Sequence, residues 1–159
     1  LKPLPVEGGY FRETYRSSQG LDPHSLTEGF SGPRSLATAI YYLLTPDTFS
    51  AMHRLRSDEV YHFYLGGPVE MLNLHPDGSI GKLVLGSDIK AGMRLQAVVR
   101  AGVWQGSRLM PGKDFALLGT TVAPGFDPAD CEHGSRRELL EAFPAARDLI
   151  RALTREEGE

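Results

Sequence analysis

Between Tyr10 and Val122 the chain never settles into a helical period. Short runs rich in Val, Ile, Tyr, Phe, Thr and Leu are cut by turn signals such as Gly66-Gly67-Pro68, Pro76-Asp77-Gly78, Lys90-Ala91-Gly92 and Pro111-Gly112-Lys113. Gly supplies positive φ and Pro removes a ladder donor, so this punctuation confines the chain to short strands and tight turns. Nine strands are predicted, near residues 10–15, 35–44, 51–54, 59–65, 69–75, 81–85, 94–99, 104–109 and 115–122. Short connections favour antiparallel neighbours that close into a sandwich or barrel.

Only the last stretch changes period. Ser135-Arg136-Arg137-Glu138 has capping-box spacing, and Leu139, Phe143, Ala146, Ile150 and Leu153 then recur along one face, with Pro144 splitting the segment into two short helices against the sheet. Gln19 to Pro33 reads as a long loop, either a lid or binding loop or a disordered stretch. With no linker or repeat, the 159 residues are expected to form one domain, a barrel over about 10–125 and a helical segment over about 135–153.

A chain of this length buries roughly 70% of its unfolded surface, enough for a core without disulfides or a structural metal. Seventeen Lys and Arg against twenty Asp and Glu give a net charge of −3, and the densest basic stretch is Arg136-Arg137, so a nucleic-acid partner is not expected. The longest mostly apolar stretch, from Leu36 to Leu44, is far below the ~20 residues of a membrane span. Leu1-Lys2-Pro3-Leu4-Pro5 lacks the pattern of a secretory leader, and the lone Cys131 fits a reducing, cytoplasmic setting.

Chemistry concentrates in Met52-His53-Arg54-Leu55-Arg56-Ser57-Asp58-Glu59-Val60-Tyr61-His62-Phe63-Tyr64-Leu65-Gly66. Side chains alternate along a strand, so Glu59, Tyr61 and Phe63 share one face and Val60, His62 and Tyr64 the other. A hairpin turn at Arg56-Ser57-Asp58 would bring His53 and Glu59 together on the inward face. A carboxylate beside a His holds its tautomer and stabilises the imidazolium once it accepts a proton, so His53 and Glu59 make a candidate acid–base pair. Tyr61 supplies a phenol as candidate proton donor, and Phe63 either contacts ligand or fills the barrel. His62 is expected in a structural or dimer-interface role, and His24, His75 and His133 at the surface.

Elsewhere, Arg12 shares a strand face with Tyr10 and Thr14. If that face looks inward, its planar fork can hold a carboxylate or phosphate; if outward, it forms salt bridges. Gln105 is expected to point inward, with Trp104 beside it in packing or ligand stacking.

His53, Glu59 and Gly66 resemble the first motif of the cupin superfamily, and Arg100-Ala101-Gly102-Val103-Trp104-Gln105 is a partial match to the second, with Gln105 where a His is usual. More specifically, residues 5–17, Ala39-Ile40-Tyr41-Tyr42-Leu43-Leu44, His53 with residues 58–64, and Thr121-Val122-Ala123-Pro124-Gly125-Phe126-Asp127 resemble the cupin-5 family. That resemblance implies an all-β fold, an antiparallel jelly-roll barrel with short C-terminal helices, commonly dimeric and related to the dTDP-sugar epimerases. Those enzymes use a His base and a Tyr acid without metal, roles that would fall on His53 and, by strand parity, on Tyr61.

The function expected is a small-molecule isomerase or epimerase acting on a sugar-like or other carbonyl compound. The alternatives are a non-catalytic cupin that binds a carbohydrate or small anion, and a metal-dependent oxygenase or isomerase. Typical metal cupins use three His and a carboxylate. Leu55 stands at the second His position here, which leaves His53, Glu59 and Gln105 as the set for any divalent metal, and no cofactor is firmly implied. Arg12, Phe63, Gln105 and Trp104 complete the expected ligand contacts, in a homodimer.

Overall fold

The computed structural model describes residues 1–156, so the final three residues of the expected unit lie outside the described residues. Within them the strands are β1 (Lys2–Pro3), β2 (Tyr10–Arg16), β3 (Gly20–Leu21), β4 (Arg34–Ser35), β5 (Thr38–Leu44), β6 (Phe49–Leu55), β7 (Asp58–Gly66), β8 (Val69–Leu74), β9 (Ile80–Leu85), β10 (Gln96–Val99), β11 (Trp104–Leu109), β12 (Ala116–Ala123) and β13 (Cys131–His133). Two helices follow, α1 (Arg136–Ala142) and α2 (Arg147–Ala152).

The strands form a six-stranded sheet in the order β1-β2-β5-β12-β7-β10 and a five-stranded sheet in the order β13-β6-β11-β8-β9, with β3 and β4 as a separate pair. Every ladder between these strands is antiparallel. From β5 to β8 each successive strand joins the other sheet, the mark of a jelly roll. Of the expected sequential pairings in this region, only β8 with β9, joined through Pro76-Asp77-Gly78, is a hairpin.

This corrects the hairpin expected at Arg56-Ser57-Asp58. β6 pairs with β11 and β13, and β7 with β10 and β12, so the turn is a corner between sheets. His53 and Glu59 therefore sit on opposite walls of the interior rather than on adjacent strands. A two-sided interior demands this arrangement, because the inward face of each sheet must be buried against that of the other.

The inner faces meet in an apolar layer that includes Leu44, Val69, Met71, Leu85, Ala116 and Leu118, all at zero exposure. The alternate residues of the five-stranded sheet point outward, where Met52, Leu72 and Leu74 pack against Leu139, Phe143, Ala146, Leu149, Ile150 and Leu153. The whole apolar stripe predicted for the helical segment is thus buried. Ser135 caps α1 by accepting from the Glu138 N–H (3.5 Å), and Pro144 opens a single 3-10 turn (Pro144–Ala146) before α2.

The long loop is anchored. Gly20 and Leu21 pair with Ser35 and Arg34, and Asp22 caps a 3-10 turn over Pro23–Ser25. Arg34 makes a two-point bond to Asp130 (2.7 and 2.8 Å), with both side chains 5% exposed, and its remaining donors reach the Gly32 and Pro33 carbonyls. None of residues 19–33 lines the cavity described below.

Removing one partner of a buried ion pair strands the other charge, at a cost of about 3–5 kcal/mol. Asp130→Asn is therefore expected to lower stability by about 3 kcal/mol in urea unfolding. Amide exchange should speed up first in residues 20–35.

Candidate functional site

A cavity of about 380 Å³ opens between the sheets at the end of the barrel away from the apolar layer. Within the range typical of small-molecule sites, it is lined by β2, β5, β6, β7, β12 and β13, and by a strap formed by residues 4–9.

His53, on β6, is 2% exposed. Its Nδ1 lies 2.8 Å from the Ala51 carbonyl oxygen. A carbonyl only accepts, so Nδ1 carries the hydrogen, and in the neutral ring Nε2 holds the lone pair. That nitrogen lies 3.9 Å from Glu7 Oε2.

Glu7 comes from the strap, which is held at both of its edges. Its carbonyl accepts from the Ala51 N–H (2.7 Å), its Oε1 accepts from the Ser50 hydroxyl (3.1 Å), and the Tyr42 hydroxyl donates to the Gly8 carbonyl (2.8 Å). Gly8 and Gly9 have φ of 100° and 71°, and a Cβ at these positions would meet Phe49 O at 2.3 Å and the Tyr42 hydroxyl at 2.8 Å. No other residue fits either place. Val6 is β-branched yet has φ of 66°, which is local strain carried at the cavity wall.

Glu59, on β7, is 6% exposed, and its Oε2 accepts from Gln105 Nε2 (2.8 Å). Burial pushes its carboxyl above the ordinary value. His53 opposes the shift, Glu7 adds to it, and hydrogen bonds from Thr120 and Gln105 draw it back. Tyr61 and Tyr42 also line the cavity, and burial first, then the carboxylates of Glu59 and Glu7, raises both phenols well above 10. Both therefore stay protonated, and Tyr42 is already committed to Gly8.

β13 adds two residues at the mouth. It pairs with β6 so that Cys131 stands opposite Leu55 and His133 opposite His53, with the two imidazole centroids 6.5 Å apart. Burial, aided by Glu7, Glu59 and Glu132, pushes the Cys131 thiol up to about 12, which keeps it from acting as a nucleophile. Burial and His53 together lower the pKa of His133.

The structure thus brings His53, Glu59 and Tyr61 into one cavity and leaves the other expected contacts outside its walls. Arg12 is exposed, while its strand neighbours Phe11 and Glu13 face the cavity. Of the two parities open for Arg12, the outward one holds, so its fork is not available to a ligand there. Phe63 points inward but packs in the apolar layer beyond the cavity. Trp104 faces outward among the residues under the helices, with the Arg54 guanidinium 4.5 Å above its ring. Gln105 is inward and 1% exposed, but it stands behind Glu59 rather than in the cavity wall.

His62 lies outward on the six-stranded sheet, with Thr121 at 3.2 Å and its ring stacked on Tyr64. His24 and His75 are away from the cavity, whereas His133, expected merely at the surface, lines the mouth. Glu7, Tyr42, Cys131 and His133 carried no chemical signal in the sequence. The nearest hint was Pro5-Val6-Glu7-Gly8-Gly9, where two adjacent glycines mark a backbone in close contact.

The donor set does not fit a divalent metal. Among the described residues no group of three or more His, Cys, Asp and Glu is spaced to hold one. The Gln105 amide turns its nitrogen toward Glu59, and its Oε1 has no hydrogen-bond partner.

The chain belongs to the cupin-5 family, described as Cupin superfamily (DUF985), which it matches over residues 1–134. It is 36% identical over 132 residues to Uncharacterized protein YML079W of Saccharomyces cerevisiae, a match covering 78% of this chain and 66% of that protein, less than two thirds of its length. Protein SO0799 from Shewanella oneidensis superposes with a TM-score of 0.84 at 35% identity, covering 96% of this chain and 90% of that one. A hypothetical protein from Leishmania major gives 0.86 at 28% identity, covering 98% and 94%. At the level of fold alone, a dTDP sugar isomerase from Desulfovibrio desulfuricans G20 gives 0.55 at 17% identity, over 85% and 88%. No helix among the described residues is long and apolar enough to cross a membrane.

Because folded Glu59 keeps its proton above the ordinary value of 4.5, the folded chain binds more protons than the unfolded one just above that pH. The contribution of Glu59 to stability is complete below it and lost as pH rises through the folded value. Glu59→Gln retains an acceptor for Gln105 and removes the titration. In thermal unfolding, the Tm of the variant relative to wild type should rise steadily from about pH 4 to about pH 7.

Proposed function

We propose that this cupin is a small-molecule isomerase or epimerase that moves a proton on a carbon next to a carbonyl, with His53 as the base. The observation that carries this reading is the Nδ1 bond to Ala51, which leaves the Nε2 lone pair beside the Glu7 carboxylate. In the forward step Nε2 takes the proton from carbon and the C–H electron pair moves into an enolate. Glu7 then stabilises the imidazolium. The developing oxygen meets a neutral donor, the Tyr61 phenol, which burial keeps protonated. Returning the proton to the other face, or to the neighbouring carbon, completes epimerisation or isomerisation. The fold likeness to a dTDP sugar isomerase supports the reading as analogy.

A binding role without chemistry is the second reading. It is favoured by the apolar share of the wall, which includes Leu4, Phe11, Ile40, Leu55, Val122 and Phe126. Exchange of carbon-bound hydrogen for deuterium, followed by NMR across a panel of carbonyl compounds, separates the two. Wild type should exchange at least one compound, and His53→Ala should slow that exchange by about 10²–10⁴-fold while keeping its fold and binding. Exchange undiminished in His53→Ala would overturn the base assignment, and binding with no exchange would leave the second reading.

The same reading places the chain in the cytoplasm as a homodimer. Tyr41, Tyr64, Leu65 and Val98 are each 46–58% exposed on the outer face of the six-stranded sheet, and a second copy covering that face would bury them. Light scattering should give twice the 17.4 kDa chain mass, falling to one chain in Leu65→Glu with Tyr41→Glu.

A further inference from the structure

Among the described residues that line the cavity there is no Lys and no Arg. Three carboxylates face it, and Arg16 takes up one through a two-point bond to Glu13 (2.9 and 2.8 Å). Glu7 and Glu59 have no Lys or Arg partner: Glu7 bonds the Ser50 hydroxyl, and Glu59 bonds the Gln105 amide, Thr120 and Tyr61. The guanidinium groups nearby are spent elsewhere, Arg34 on Asp130, Arg54 on Glu132 and Arg155 on the Val6 carbonyl, while Arg12 points out of the barrel. Should His53 take up a proton, Glu7 at 3.9 Å neutralises it, so no net positive charge faces a ligand.

Buried groups around the wall register the same field. Tyr42, Tyr61 and Cys131 belong to three different strands, and in each Glu7 and Glu59 add to the effect of burial in favouring the protonated form, with Arg155 opposing them at Tyr42. An anion entering here would lose its hydration and meet carboxylates in place of a cation. A donor head, by contrast, finds two acceptors, with an apolar body seated against Leu4, Phe11, Ile40, Val122 and Phe126.

We propose that the cavity takes an uncharged or cationic compound with an apolar body and a hydroxyl or amine head directed at Glu7 and Glu59, and that it rejects phosphorylated and carboxylated ligands, nucleoside diphosphate sugars among them. This rests on reading the cavity as the ligand site, not on proton transfer there. It parts the chain from any substrate whose recognition depends on phosphate.

The test is an NMR titration of the full chain with four probes of similar body: 2-phenylethylamine, 2-phenylethanol, phenylacetate and phenyl phosphate. The tighter of the amine and the alcohol should bind at least about tenfold better than either anion. Glu7→Gln should narrow that gap to about threefold or less, with Glu59→Gln as the second variant should the strap in Glu7→Gln fail to fold. An anion that binds as well as the amine and the alcohol overturns the proposal. So does failure of all four probes to bind at about 20 mM, or a gap unchanged in both variants. His53→Ala should keep the gap. Discrimination without hydrogen exchange would therefore remove the isomerase reading and leave the ligand class, and exchange in a phosphorylated compound would do the reverse.

Discussion

The inward faces of the two sheets are buried against each other, and the side chains they carry divide the interior into two zones. At one end the space is filled by side chains such as Leu44, Val69, Met71 and Leu118, none with any exposed surface. A polar group there would lose its hydration without compensation, at a cost of about 2–7 kcal/mol on transfer scales. The ionisable inward residues stand at the other end, where Ser50 bonds Glu7, Gln105 bonds Glu59 and the His53 ring bonds its own strand. The site exists because the core does not fill the whole barrel. Each of these groups is held by at least one bond to a neighbouring residue.

That end is closed from outside the main sheet ladders. The strap at residues 4–9 and the short β13 both reach β6, the strap through the Ala51 N–H and β13 through pairing at Leu55, Arg54 and His53. β6 is thus the element on which the site is assembled: its inward residues include His53, its outward residue Met52 enters the core under the helices, and both closing segments dock along it. The Met52 backbone bonds Leu153 and Gly134, which ties the C-terminal helices to the same strand. A change in the helix packing would be felt at His53 through one residue of backbone, a short route for mechanical coupling in a closely packed interior.

The sequence made the local structure plain and left the crossings hidden. Period-two alternation and Gly/Pro turns located the main strands, and the capping box with its apolar stripe located both helices, since these signals are local and act on neighbouring residues. Parity along Glu59-Val60-Tyr61-His62 correctly sorted Glu59 and Tyr61 inward and His62 outward. Topology was another matter. A short polar turn reads the same whether it folds a hairpin or rounds a corner between sheets, so the Arg56-Ser57-Asp58 turn was misjudged. Arg12 was undecidable because a strand with polar residues on both faces does not declare which one looks inward. Glu7 and His133 were illegible for a different reason: each enters the site through a backbone segment too short or too irregular to carry a period, and what places them is contact with β6.

Charge then narrows what the assembled site can do. A thiol pushed up to about 12 and two phenols held well above 10 do not ionise near neutral pH, so Cys131, Tyr42 and Tyr61 serve there only as donors. The other ionisable side chains of that end include the imidazoles of His53 and His133 and the carboxyls of Glu7 and Glu59. Of these, Glu59 has its Oε2 occupied by Gln105 and His133 stands at the mouth, which leaves His53 and Glu7 as the pair facing each other across open space. The 3.9 Å between them exceeds a hydrogen bond. In a fully collapsed core such a gap would close or fill with apolar atoms. Here Glu7 is held back by Ser50 and by the fixed backbone of the strap, and His53 by Ala51, so the separation is built into the fold and keeps Nε2 available to something other than protein.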